Sequence, residues 1–175
     1  MDEIEAGFNK MLEKVSQYEK KEADLSVQVR KADAELLSRM AELTVPVIEK
    51  IGLNMLDKGK QDTKGELYDS VFYQKKMIVL GKAEAVEFRP DDISKKVTDQ
   101  FCVLSEEGKL YELMYSSDGF IVDSYLNPVT AQEALSRYGF EVMFMLYRAV
   151  HDYLEGHEKL VESLENTIEF VFPDK

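Results

Sequence analysis

The chain has 175 residues, of which 45% are hydrophobic and 32% charged, with a formal net charge of −12. This is the composition of one folded domain and excludes a disordered chain. No apolar run approaches the roughly eighteen residues that a bilayer-spanning helix requires, and the acidic balance disfavours nucleic acid and anionic membranes as partners.

Charge is unevenly spread: residues 1–60 hold 12 acids and 10 bases, whereas residues 61–175 hold 22 and 12. The opening Asp2, Glu3, Ile4, Glu5 has the features of neither a secretory signal nor an Arg-rich transit peptide, which predicts a cytoplasmic location. The first forty residues carry the clearest pattern. Ile4, Phe8, Met11, Val15, Tyr18, Leu25, Val29, Ala32 and Leu36 recur about every 3.5 residues, with Glu22 as the one polar intrusion. That spacing predicts a long coiled-coil-like helix. From Met40 through Leu43, Val47, Ile51 and Met55 the period relaxes, and Pro46 predicts a kink or a restart near Thr44. At about 1.5 Å per residue, Ile4 to Thr44 would span roughly 60 Å, more than the diameter of a small domain.

The polar stretch from Gly59 to Gly65 reads as a loop between helix and sheet. Beyond it the period falls to two. Strands are expected over 69–80, 83–88, 98–104, 110–115 and 120–126, the last three joined by the Gly-terminated turns ending at Gly108 and Gly119. Residues 89–97, with Pro90, Asp91 and Asp92, form the longer crossing. Cys102, the single cysteine, lies among Phe101, Val103 and Leu104 and reads as a small core residue of a strand.

Thr130 and Glu133 stand at capping-box spacing, so a helix starts there, and Gly139 ends it. Residues 140–154 are apolar nearly all round, which predicts burial on most sides against the sheet. After Gly156 a last helix is expected, with Leu160, Val161, Leu164, Ile168 and Val171 opposite a glutamate stripe. The fold class is therefore α+β: a long N-terminal helix kinked near Pro46, an antiparallel meander of about five strands, and two or three C-terminal helices on one sheet face. Two segments follow, an amphipathic helix over 1–58 that serves oligomerisation or bundling and an acidic α+β domain over 66–175.

Signals for chemistry are sparse. With only His151 and His157 in the chain, most histidine-dependent catalysis lacks its ligands. His151, Glu155 and Glu158 share a helix face and could hold a divalent metal, although no second motif accompanies them. The carboxylate pairs Asp91-Asp92 and Glu106-Glu107, and Ser116 and Ser117, read as turn chemistry. The dibasic pairs Lys20-Lys21, Arg30-Lys31, Lys75-Lys76 and Lys95-Lys96 read as ordinary surface. No catalytic residue and no cofactor is assigned.

These readings predict a non-enzymatic interaction or assembly protein that self-associates, as a dimer, through Ile4, Phe8, Met11, Val15, Tyr18, Leu25, Val29 and Leu36. Its acidic body would face a basic or apolar protein partner. The alternatives are a small metal-dependent enzyme or ligand binder using the His151–Glu158 cluster, and an acidic chaperone-like cargo holder.

Overall fold

The structure, a computed structural model, describes residues 2–173; Met1, Asp174 and Lys175, the outer ends of the two expected segments, lie outside it. Among the described residues are three helices and six strands in an α+β arrangement. Helix α1 covers Glu3–Ile51, capped by the Asp2 carboxylate, which accepts from the Ile4 N–H at 3.2 Å. It does not restart at Thr44 and stays helical through Pro46. Pro46 lacks the N–H that would reach the Glu42 carbonyl; two residues earlier the Thr44 hydroxyl donates to the Met40 carbonyl at 2.7 Å.

The strands are β1 (Leu56–Gln61), β2 (Leu67–Phe72), β3 (Met77–Ala83), β4 (Asp99–Ser105), β5 (Leu110–Ser117) and β6 (Ile121–Pro128). They form one antiparallel sheet in the order β2-β1-β6-β5-β4-β3. The expected meander is present in β4, β5 and β6, with Gly108 and Gly119 at positive φ in its two turns. Three strand expectations are corrected. The start of the supposed loop at Gly59 belongs to β1; the run 69–80 is divided between β2 and β3; and residues 84–88 are not a strand, contributing only the Phe88–Lys96 bridge. Alternation in β1 is carried by lysines, whose long stems lie on a sheet as readily as apolar groups, so its period was masked.

Strands β2 and β3 lie on opposite edges of the sheet yet are joined by residues 73–76 alone. In a flat sheet the outer strands of six would be about 24 Å apart, and the chain from Phe72 to Met77 reaches at most about 18 Å. The sheet therefore curls. Leu53, in the segment leading into β1, exchanges backbone hydrogen bonds with Met77 of β3 at 2.8 and 2.9 Å, and Tyr73 N–H, just past β2, donates to the Met55 carbonyl at 2.9 Å, so β3 meets the β1–β2 end of the sheet through this segment. The inner face encloses Met77, Val103 and Leu113, with Tyr73, Phe101, Tyr111, Tyr115 and Leu126 packed around them.

The outer face carries the larger core. Leu80, Cys102, Leu104 and Leu110 meet Leu37, Ala41 and Ile48 of α1, Ala131 and Ala134 of α2 (Ala131–Tyr138), and Val142, Met143 and Leu146 of α3 (Glu141–Val171). The capping box of α2 is formed: the Glu133 N–H donates to the Thr130 hydroxyl, and the Thr130 N–H donates to the Glu133 carboxylate at 2.7 Å. Helix α3 continues through Gly156, so two C-terminal helices follow the sheet. A mid-helix glycine costs only about 1 kcal/mol, which good helix formers on both sides offset. The remainder of the outer face is covered by residues 84–98, where Val97 is buried and the Val86 N–H donates to Gln100 Oε1 at 3.0 Å.

Candidate functional site

The sequence seam of α1 and the face by which α1 grips its own body are different. The body takes Leu37, Ala41, Thr44 and Ile48, at helical spacings of four, three and four. Leu36, the last residue of the seam, is one position before Leu37 and so stands about 100° round the helix. The seam thus never enters the core. Ile4, Phe8, Met11, Val15, Tyr18, Leu25, Val29 and Leu36 are all exposed, at 40–79% of their full surface. The first buried residue of α1 is Leu37. At about 1.5 Å per residue the part of α1 before it is a rod of roughly 50 Å.

Along the same stripe, Met40, Leu43 and Val47 face Leu146, Tyr147, Val150 and Leu154 of α3 across a groove of about 400 Å³. Leu43 is 81% exposed at its rim. The expectation that residues 140–154 are buried on most sides is corrected here. Only Val142, Met143 and Leu146 are buried, while Phe144, Tyr147 and Leu154 are exposed. One sheet face offers a helix one stripe of contact, and the other apolar residues are left without cover. Further along α3, Val161, Leu164, Ile168 and Val171 are exposed as well. Helix α3 carries seven acids against Arg148 and Lys159, whereas α1 carries ten acids against eight bases.

Of the expected metal set, His151 and Glu155 come together with Asp152, their ligand atoms within 4.8 Å of one another; Glu158 is not in the group. All three are exposed. Glu155 also accepts from Lys159 at 2.7 Å, which holds its carboxyl below the usual range. Ser116 and Ser117 are not in the turn but end β5, paired with Asp123 and Val122 of β6, whereas the turn readings of the carboxylate pairs agree with the contacts. Asp91 accepts from Arg89, and Asp92 accepts from the Ser94 N–H at 3.0 Å. Glu106 accepts from the Lys76 N–H at 2.6 Å, and Glu107 pairs with Lys75. Cys102 is buried on the outer sheet face, and burial pushes its thiol up to about 12, which leaves it inert at neutral pH.

Two buried polar clusters were not anticipated. Glu112, 1% exposed, accepts from Arg137, from Gln100 Nε2 at 3.3 Å, from the Tyr138 hydroxyl at 3.4 Å and, on its other oxygen, from Asn127 Nδ2 at 3.1 Å. With both oxygens engaged, it serves to dock α2 on the sheet rather than to move protons. Arg89, 5% exposed, donates to both oxygens of Asp91 at 2.9 and 2.5 Å and to Asp123 at 3.0 Å, with its guanidinium 5.7 Å from the Tyr125 ring centre. It pins the long crossing onto the sheet. A charged residue inside an alternating strand, as Glu112 is, was the sequence signal for the first; nothing local marks Arg89.

Among the described residues no helix is long and apolar enough to cross a membrane. No family model, curated protein or solved structure matches this chain.

Proposed function

We propose that the protein is a non-enzymatic interaction protein that self-associates through the exposed seam of α1. One observation carries this reading: eight apolar side chains at coiled-coil spacing lie on a helical rod whose own body grips a different stripe of the same helix. A second copy of α1 supplies a matching stripe. Charge favours a homotypic pairing at α1, where acids and bases nearly cancel, over one at α3, where like charges accumulate. The apolar and acidic face of α3 suits a basic amphipathic segment of a protein partner. Light scattering of the whole chain is expected to return twice the 20.1 kDa protomer mass. The double variant Val15→Asp/Leu25→Asp is expected to return the protomer mass with an unchanged circular dichroism spectrum. A wild-type monomer across the micromolar range would refute the reading.

A second reading, a divalent cation site, is favoured by the convergence of His151, Asp152 and Glu155. Under it, zinc raises the unfolding temperature saturably and His151→Ala removes that effect; under the first reading alone zinc changes nothing.

A further inference from the structure

Register brings one row of polar side chains across the sheet. Ser116 of β5 pairs with Asp123 of β6, and Asp123 pairs with Lys58 of β1, so all three project from the same, outer face. The crossing over 84–98 passes above this row and adds Lys95 and Lys96. Together with Asp118 they line a cleft of about 360 Å³. In the sequence Lys95-Lys96 is one more dibasic pair; the fold adds a third lysine from a strand 37 positions away.

The two acids of the cleft are already engaged. Asp123 accepts from Arg89 at 3.0 Å and from Lys95. Asp118 accepts from the N–H groups of Phe120 at 2.9 Å and Ile121 at 2.7 Å. The ammonium groups of Lys58 and Lys96 have no ion pair among the described residues. Ser116 is 4% exposed, and its hydroxyl has no hydrogen-bond partner among the described residues. Buried polar groups are almost always paired, so an orphan hydroxyl on the wall of a cleft points to something that completes it. Two unpaired cations and one donor hydroxyl together call for an acceptor with negative charge.

We propose that this cleft binds the phosphate group of a small phosphomonoester, with Ser116 Oγ donating to one phosphate oxygen and Lys58 and Lys96 neutralising its charge. A dianion matches two free ammonium groups, whereas a carboxylate would leave one unmatched. The volume exceeds that of inorganic phosphate and leaves room for part of the group that carries it. The net charge of −12 on the whole chain opposes a long polyanion and favours a small molecule as the ligand. This site is independent of the α1 seam.

Isothermal titration of the full chain at constant ionic strength, with inorganic phosphate, a nucleoside monophosphate and acetate, tests the assignment. Saturable one-to-one binding is expected for both phosphates, tighter for the ester, and at least about tenfold weaker for acetate. Lys58→Gln and Lys96→Gln are each expected to weaken phosphate binding about tenfold, and Ser116→Ala about threefold. Lys10→Gln, on the distal rod, is expected to leave it unchanged. Absence of saturation by about 10 mM of either phosphate, a low-affinity limit, would overturn the proposal. Acetate binding as tight as phosphate would also overturn it, as would affinity indifferent to Lys58 and Lys96. Should Ser116→Ala fail to fold, the two lysine variants decide the matter, since both side chains are exposed and outside the core.

Discussion

Gly108 shows how one residue joins the sheet to the long helix. It sits at φ +74° in the β4–β5 turn, and a Cβ there would lie 2.8 Å from Val45 Cγ2 of α1. Gly108→Ala is expected to lower stability by about 1–3 kcal/mol, from left-handed strain together with overlap. Val45→Ala should recover the steric share, which a double-mutant cycle by urea unfolding measures. Acid sensitivity is also set at single residues. Arg89 holds the Asp91 carboxyl below its ordinary range, backbone N–H groups from Ile121 and Phe120 do the same for Asp118, and Thr130 does so for Glu133. Groups with depressed folded values stabilise the fold above their unfolded values, and this contribution disappears as pH falls through the folded ones. Unfolding temperature is therefore expected to drop once pH goes below about 4. Asp91→Asn is expected to lower it at neutral pH and to flatten its acid dependence, as thermal melts across that range would record.

Two stripes of α1 make contrasting predictions for substitutions only a few positions apart. Leu37→Ala and Ile48→Ala remove fully buried side chains and are expected to cost about 2–5 kcal/mol each. Leu43→Ala, between them but on the exposed stripe, is expected to change monomer stability by less than about 0.5 kcal/mol, with chemical denaturation as the measurement. The sequence made the helix and its 3.5-residue seam legible because the seam is periodic over about nine turns. It did not reveal that the body would take Leu37, Ala41, Thr44 and Ile48. That stripe contains an alanine and a threonine, small enough for close approach to the sheet but faint in any hydrophobic pattern. Helix α3 misled in the opposite direction: its apolar circumference implied burial, and the fold buries one side. The capping box of α2 was readable because its mechanism is local. The polar cleft was not, because Lys58, Asp123 and Ser116 meet only through strand register and Lys96 arrives on the long crossing.

At the level of the molecule, the curled sheet reconciles a short β2–β3 link with a six-strand order, and it explains why the division of 69–80 into two strands escaped the sequence reading. Both halves are extended, and only the strand pairing, which is not local, places them on opposite edges. Acid and base counts divide along the same lines as the architecture, near balance on the rod and strongly negative on the body. A rod that pairs by its seam and a body that repels its twin would hold two bodies apart. Small-angle scattering of the assembled form is expected to show an elongated particle whose maximum dimension shortens when Val15→Asp/Leu25→Asp releases the protomers.

The end of α1 leads directly into that closure. Gly52 lies so close to Lys76 and Met77 that a Cβ would come within 3.0 Å of the Lys76 side chain, and the next residue, Leu53, is bonded to Met77. Only Gly52 separates the rod from the Leu53–Met77 bridge, so a pull along α1 is expected to load that bridge directly. Two backbone hydrogen bonds are all that this bridge offers against such a load.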